Sequence, residues 1–194
     1  LISFLFFAFG VVLCLQLPDM AILVGVFISL PLMVTYSTNL KGKSLIGNTI
    51  VSFLLGASFL FVGASHKMIS PMFIPMLLAF SLTFLREIIK DVADMEGDLS
   101  LGLKTYPIIY GVDSYRRIII SLCLMVGLFS LVPYMIGIYG PGYLLLLMIG
   151  VEIPLSIIIF IFFKNPSISS AIFSARLLKF STLMGLLSIY FGTV

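Results

Sequence analysis

Long apolar runs separated by short polar segments dominate the pattern of the chain. A helix that spans a bilayer requires about 20 mostly apolar residues, with a range of roughly 17–25. Seven runs are close to that length, and the alternating pattern of a membrane β-barrel is absent from the sequence. The seven candidate spans are residues 1–17, 21–36, 47–61, 71–89, 118–138, 143–163 and 172–191. The pattern therefore predicts an all-α, polytopic transmembrane helical bundle.

The composition supports a membrane protein and excludes several other classes. Of the 194 residues, 61% are hydrophobic and 10% are charged, whereas soluble domains carry about 25% charged residues. Intrinsic disorder is excluded by the same figures. The net charge of +3 is too small to indicate a nucleic-acid partner. Cys14 and Cys123 lie in apolar runs and His66 is the single histidine, so neither a disulfide nor a zinc site is expected.

The basic residues predict how the chain is oriented in the membrane. If the seven spans alternate in direction, ten of the eleven lysines and arginines fall on one side, and Lys67 alone falls on the other. The positive-inside rule makes the basic side cytoplasmic. We therefore expect a multi-pass protein of the cell membrane. Arg116 and Arg117 are expected to anchor the start of a span, and Arg176 and Lys179 to lie near the basic edge of the last one.

The beginning of the chain also carries an expectation. The sequence opens inside an apolar run at Leu1, without a methionine or a basic flank. A signal peptide is not indicated, because no cleavage site with small residues follows. We expect residues 1–194 to form a single transmembrane domain, and we expect a further N-terminal part of that domain to precede them.

A cluster of acidic residues marks the basic side of the fourth span. Five of the eight acids lie within twelve residues, namely Glu87, Asp91, Asp94, Glu96 and Asp98. Helical residues advance by about 100° each, so all of these except Glu96 share an arc of about 60° if one helix continues through them. Gly97 is expected to loosen the last turn. These four carboxylates on one face are called the acidic stripe below.

Like charges on one face repel each other, and charge is costly at a membrane boundary. Mg²⁺ compensates such a stripe because it takes carboxylate oxygens and completes its shell with substrate phosphates and water. The stripe therefore predicts a Mg²⁺–diphosphate site, with a solvated acidic helix end as the alternative. Several residues on the same side are candidates to bind the diphosphate, or else are topology anchors or interfacial aromatics. They are Tyr36, Lys41, Lys43, Arg86, Lys90 and Lys104.

Glu152 is the acid that lies deepest in a predicted span. Acids inside the membrane default to a functional hypothesis. Pro154 follows two residues later and frees a backbone group, so a structural hydrogen bond is the alternative to a catalytic role. The sequence leaves both interpretations open.

Two segments resemble a known family. The pattern Asp91-x-x-Asp94-x-x-Gly97-Asp98, followed by Leu-Ser-Leu-Gly-Leu-Lys-Thr-Tyr-Pro, resembles the second aspartate-rich motif of the UbiA superfamily of intramembrane prenyltransferases. The segment Tyr36-Ser-Thr-Asn-Leu-Lys-Gly-Lys, which leads to Asn48, resembles the tyrosine–lysine element of that superfamily. Within it, the form Arg-Glu-Ile-Ile-Lys-Asp with Glu-Gly-Asp is most similar to the archaeal digeranylgeranylglyceryl phosphate synthases.

The resemblance implies nine transmembrane helices around a cavity that opens to the membrane, with two aspartate motifs under a cytoplasmic cap. The seven predicted spans match helices three to nine. The first motif, Asn-x-x-x-Asp-x-x-x-Asp, does not occur in these 194 residues. Asp94 and Asp98 match the general metal-binding acids, Asp91 matches the acid of the archaeal form, and Glu87 matches a position that is acidic in some members.

The tyrosine–lysine element departs slightly from the family pattern. Lys41 and Tyr36 match the residues on the diphosphate and acceptor side. The nearest lysine follows Tyr36 by five residues instead of the four that many members have, so both Lys41 and Lys43 remain candidates.

The resemblance implies a Mg²⁺-dependent transfer of a geranylgeranyl group from its diphosphate to geranylgeranylglyceryl phosphate, which forms an ether bond of archaeal membrane lipid. Asp91, Asp94 and Asp98 are the carboxylates expected to take part in catalysis. No residue is an obvious general base, and the departing diphosphate or an acid such as Asp91 can take the proton. One alternative is prenyl transfer to an aromatic acceptor, of the quinone or chlorophyll type. A membrane transporter with a cytoplasmic cation site is a further alternative.

Overall fold

The computed structural model of the chain describes residues 2–40 and 42–193. The described part is an assembly of helices without a β-strand, so the predicted fold class is confirmed. The helices are α1 (Ile2–Cys14), α2 (Asp19–Leu40), α3 (Ile46–Ser65), α4 (Ser70–Ala93), α5 (Met95–Ser100), α6 (Tyr106–Met135), α7 (Pro141–Lys164) and α8 (Ile168–Thr193).

Six of these helices are long and apolar enough to cross a membrane, namely α2, α3, α4, α6, α7 and α8. They confirm six of the seven predicted spans. The first predicted span is represented by α1, which has 13 residues in the described part. At about 1.5 Å of rise per residue it is shorter than a full crossing.

The faces that point away from the bundle are apolar. Phe27 of α2, Leu128 of α6 and Phe163 of α7 are 68%, 69% and 66% exposed. A water-soluble protein rarely exposes apolar patches of this extent. Together with the six apolar helices, these faces identify a multi-pass membrane protein.

The helix α4 forms the centre of the packing. Leu85, Ile88, Ile89 and Val92 recur at the spacing of one helical face, and all four are fully buried. This face packs against buried residues of α6, among them Tyr115. The other side of α4 contacts α3 closely, because a Cβ on Gly56 would lie 2.8 Å from the backbone oxygen of Met76. The buried face therefore holds the acidic end of α4 in the core, and the Gly56 contact fixes the opposite end of α4 against α3.

The apolar segments predicted at 71–89 and 118–138 are shorter than the helices that contain them. In the structure α4 continues to Ala93, α5 follows immediately, and α6 already begins at Tyr106. The apolar pattern did not show these helix ends, because the residues between the two apolar segments are largely polar. The backbone of α6 bends at Gly111, where φ is 74° and ψ is −177°, values that glycine adopts without strain.

The loops of the basic side meet at one end of the bundle. The start of α6 is tied to the connection between α7 and α8, where the Tyr115 hydroxyl donates to the Pro166 carbonyl at 2.9 Å. Arg116 donates to the Phe163 carbonyl at 3.0 Å, and its guanidinium lies 5.2 Å from the centre of the Phe163 ring. This arrangement agrees with the anchoring role expected for Arg116.

The position of two other basic residues corrects the prediction for the last span. The helix α8 begins at Ile168 instead of Ile172, so Arg176 and Lys179 lie well inside it and not at its edge. The apolar pattern did not show this boundary, because serines occupy the first turn of α8. The Ser167 hydroxyl accepts a hydrogen bond from the Ser170 amide at 3.3 Å, as at a helix N-terminus.

Candidate active site at the loop end of the bundle

The acidic stripe is divided between two helices. Glu87 and Asp91 lie on α4, Asp98 lies on α5, and Asp94 forms the junction, with φ of −93° and ψ of 4°. The prediction placed the irregular turn at Gly97, which is in fact helical. Aspartate favours helix ends because its short side chain competes with the helical backbone. Asp94 therefore interrupts the helix three residues before Gly97, where the prediction placed the irregular turn.

The carboxylates still influence each other across this junction. Glu87 and Asp98 are both close enough to Asp91 to repel its negative charge. Partial burial, followed by repulsion from Asp94, raises the pKa of Asp98 above its usual range. The exposed side chain of Lys90 attracts both Asp91 and Asp98, but a single ammonium group does not balance the stripe. The site therefore retains an excess of negative charge.

Asp91 is oriented by a residue that the sequence analysis did not assign to the site. Nδ2 of Asn48, near the start of α3, donates to Oδ2 of Asp91 at 2.8 Å. Asn48 is 9% exposed, and its backbone carbonyl accepts a hydrogen bond from the Ser52 hydroxyl at 2.6 Å. The sequence did contain one signal for this role, namely a polar asparagine in an apolar segment, directly after Gly47. The other oxygen of the Asp91 carboxylate has no side-chain donor among the described residues.

Two lysines are brought together by the loops on either side of this pair. Lys43 and Lys104 form an isolated parallel β-bridge, a geometry that places neighbouring backbones about 5 Å apart. The preceding residues also touch, because a Cβ on Gly42 would lie 2.7 Å from Cδ2 of Leu103. Both lysines are exposed, and neither forms an ion pair within the described ranges. Lys41 lies outside the described residues.

The remaining predicted site residues lie around this centre. Tyr36 does not end α2, which continues through a wide turn to Leu40. Its ring faces the start of α3, since a Cβ on Gly47 would lie 3.5 Å from Cε2 of Tyr36. Arg86 pairs with the adjacent Glu87, with Nη1 and Oε1 3.0 Å apart. Glu87 is therefore partly neutralised, in contrast to the other acids of the stripe.

The donor chemistry of the site fits Mg²⁺, although the structure does not form a complete cage. Among residues 2–40 and 42–193, no group of three or more His, Cys, Asp or Glu residues is close enough to hold a metal ion. Mg²⁺ usually takes only one or two protein carboxylates and completes its shell with phosphates and water. The free oxygen of Asp91 and the carboxylate of Asp98 can supply such a pair. In addition, the buried Thr105 next to Lys104 lies close enough to Asp98 to favour the ionised form of that carboxylate.

Glu152 is part of a structural contact between α6 and α7. The Ser130 hydroxyl donates to Oε1 of Glu152 at 2.6 Å. Gly127 makes room for the carboxylate, because a Cβ there would lie 2.8 Å from Oε2. The Tyr143 hydroxyl donates to the Ser130 carbonyl at 2.5 Å. Of the two interpretations left open by the sequence, this geometry favours the structural hydrogen bond.

Comparison with known proteins now identifies the class to which this fold and site correspond. The sequence matches the UbiA prenyltransferase family over residues 1–183, and the chain belongs to that family. A solved structure from work on digeranylgeranylglyceryl phosphate synthase in membranes superimposes with a TM-score of 0.83 at 31% sequence identity. The superposition covers 95% of this chain and 65% of the other.

The curated relatives agree on one enzyme. The chain is 39% identical to a digeranylgeranylglyceryl phosphate synthase of Methanopyrus kandleri over 140 residues, 72% of this chain and 51% of that protein. It is 40% identical to the same enzyme of Haloquadratum walsbyi over 146 residues, 74% of this chain and 50% of that protein. The chain thus spans about half the length of these relatives.

Proposed function

We propose that this chain belongs to a prenyltransferase that transfers a geranylgeranyl group from its diphosphate to geranylgeranylglyceryl phosphate, forming an ether bond of archaeal lipid. Family membership and the names of the relatives support the reaction class. The structural observation that carries the proposal is the meeting of two loops at the acidic stripe. There the Lys43–Lys104 bridge lies at the same end of the bundle as the Asn48–Asp91 hydrogen bond.

We assign the binding of Mg²⁺ to Asp91, Asp94 and Asp98. Family members generally use Mg²⁺ to bind the diphosphate. When bound, the ion neutralises the diphosphate and makes it a better leaving group. Asn48 holds one oxygen of Asp91 and leaves the other free for the ion. Because Glu87 pairs with Arg86, we assign it a secondary part in metal binding.

We assign the binding of the diphosphate to the basic residues of the loops. Lys43 and Lys104 occupy adjacent backbone positions, and two neighbouring ammonium groups repel each other unless an anion lies between them. Their N–H groups stabilise the negative charge that develops on the leaving oxygen. Lys90 and Tyr36 are further candidates for this contact, since both lie at the same end of the bundle. Lys41, which is outside the described residues, remains a candidate from the sequence.

The proposed reaction requires that water be kept away from the reacting carbon. A cavity between α4, α6, α7 and α8 has predominantly apolar walls, among them Leu82 and Val126. An apolar wall suits a prenyl chain and protects an allylic cation from hydrolysis. The acceptor hydroxyl then forms the new C–O bond and loses its proton to Asp91 or to the released diphosphate.

We propose that the protein works in the cell membrane with its active site on the cytoplasmic side. The basic residues gathered at the site end support this orientation. We also propose that residues 1–194 belong to one domain, and that a first aspartate motif outside these residues completes the metal site.

The test is a turnover assay with the full-length protein in lipid nanodiscs. Geranylgeranyl diphosphate and Mg²⁺ are supplied with geranylgeranylglyceryl phosphate in one reaction and with 4-hydroxybenzoate in another. Release of diphosphate with a diether product, abolished by EDTA, is the expected result. A prenylated aromatic product alone would instead assign the protein to an aromatic acceptor, and an absence of both products would overturn the proposal.

A further inference from the structure

A second polar pocket lies between α3, α4 and α8, beside the Glu87 end of the acidic stripe. It is an open groove with a volume of about 250 Å³. Two basic side chains, Arg86 and Lys179, line it together with the hydroxyl-bearing Thr83 and Thr182. No carboxylate is among the residues that line it. The pocket therefore offers hydrogen-bond donors and positive charge on walls that are otherwise leucine.

The two basic residues lie within long helices and not in loops. Lys179 lies about 17 Å of helix rise from the start of α8 at Ile168, and Arg86 lies about 10 Å from the end of α4 at Ala93. Arg86 is half-buried and Lys179 is exposed, and a charge beside apolar helix surfaces normally has a partner. Arg86 has Glu87, in the only ion pair of the described residues, whereas Lys179 has no acid within ion-pair distance there.

The pocket continues into the apolar interior. A cavity of about 60 Å³ between α4, α6, α7 and α8 shares Thr83, Thr182 and Leu186 with it. The other walls of this cavity include Leu78 and Val126 and are predominantly apolar. A cationic pocket that adjoins an apolar cavity suits an amphiphile whose anionic head lies in the pocket and part of whose hydrocarbon chain lies in the cavity.

We propose that Arg86 and Lys179 bind the phosphate group of the lipid acceptor, in a site separate from the diphosphate site. This inference rests on the proposed function, because it takes the acceptor to be a phosphorylated prenyl glyceryl ether. Arg86 precedes Asp91 by five residues, or about 7.5 Å along α4. The glycerol unit of the acceptor bridges such a separation, with its phosphate on the basic pair and its hydroxyl toward the acidic stripe.

This assignment changes the role of Arg86 from that expected from the sequence. Its guanidinium has five N–H donors, and one contact to Glu87 leaves others free for a phosphate. Lys179 provides the second charge from α8 and extends its flexible stem along the pocket wall.

The test compares Lys179→Met with the wild-type full-length protein in nanodiscs of zwitterionic lipid. Lys179→Arg preserves the charge, Lys179→Gln serves as a second variant if the methionine variant fails to fold, and Lys164→Met is the matched control. In the wild-type structure Nζ of Lys164 lies 4.5 Å from the centre of the Phe160 ring. Lys164 is not among the residues that line the pocket. The measurements are the KM for geranylgeranylglyceryl phosphate, the KM for the donor, and equilibrium binding of radiolabelled acceptor without donor or Mg²⁺.

Loss of one charged contact is expected to raise the acceptor KM and Kd about ten- to a hundredfold. The donor KM should change less than twofold, Lys179→Arg should restore most of the affinity, and Lys164→Met should match the wild type. With the phosphate-free alcohol geranylgeranylglycerol as acceptor, Lys179→Met and wild type should have the same KM.

The failures of the two proposals are distinguishable. Wild-type turnover with an unchanged acceptor KM in Lys179→Met would overturn the phosphate site and leave the proposed function intact. Acceptor binding that depends on Lys179 without any turnover would overturn the proposed function alone. Equal displacement of the labelled acceptor by phosphatidic acid would overturn the acceptor assignment, because the pocket would then be a general site for lipid phosphate.

Discussion

The hydrogen bond between Asn48 and Asp91 provides the sharpest structural prediction. Asn48→Ala removes the donor that lies 2.8 Å from Oδ2 of Asp91 in a largely buried position. A hydrogen bond to a charged group contributes about 1.5–3 kcal/mol, and about 1.4 kcal/mol corresponds to a factor of ten in affinity. If Asn48 orients Asp91 for Mg²⁺, the Mg²⁺ concentration for half-maximal activity should rise about ten- to a hundredfold.

The assay is prenyl transfer by the full-length protein, titrated with Mg²⁺ at saturating donor. Asn165→Ala is the control, because Asn165 is exposed and its side chain makes no hydrogen bond in the described part. Thermal unfolding of both variants shows whether the fold is intact. An unchanged Mg²⁺ titration in Asn48→Ala, with a melting temperature equal to that of the wild type, would refute the positioning role of Asn48.

The remaining predictions concern the acids, the loops and the core. Asp94→Ala or Asp98→Ala should abolish Mg²⁺-dependent transfer without lowering the melting temperature, and retained activity in both would contradict the site. Gly42→Val should displace the Lys43–Lys104 bridge and so raise the donor KM, because Gly42 has φ of 79° and a Cβ there would lie 2.7 Å from Cδ2 of Leu103. An unchanged donor KM would show that the bridge is dispensable. Ser130→Ala should destabilise the fold by about 1–3 kcal/mol, because Glu152 loses its donor at 2.6 Å; an unchanged denaturant midpoint would refute this structural role.

The spans were predictable because apolar length in a membrane protein is set by the bilayer and not by contacts within the fold. The sequence also predicted that most of the lysines and arginines fall on one side of the spans. The helix ends were not, because α4 and α6 extend beyond their apolar segments to Ala93 and Tyr106. Where a helix is held by packing at the loop end, its hydropathy no longer marks its boundary.

The candidate site was predictable in its composition but not in its geometry. The periodicity that aligned four acids assumed one helix, and the bend at Asp94 divides them between two. The contact between Asn48 and Asp91 joins residues 43 positions apart, and the Lys43–Lys104 bridge joins residues from different loops. Such long-range contacts follow from the packing of helices, which a single sequence does not specify.

The depth of Lys179 could not be inferred for a related reason. Polar residues between Lys164 and Ser170 suggested a later start for the last helix, whereas α8 already begins at Ile168. Lys179 therefore lies about three turns from the start of α8. It lines a pocket with Arg86 of α4, a contact between helices that the sequence does not specify.

The central claim is that the acidic stripe and the two bridged lysines form a Mg²⁺–diphosphate site. The most direct measurement is the Kd of geranylgeranyl thiolodiphosphate, an analogue that resists cleavage, for the full-length protein with Mg²⁺ and with EDTA. The account predicts tight binding that requires Mg²⁺ and is lost in Asp98→Asn, and weaker binding at any Mg²⁺ concentration in Lys104→Met. Equal affinity in Mg²⁺ and EDTA, unchanged by Asp98→Asn, would contradict it.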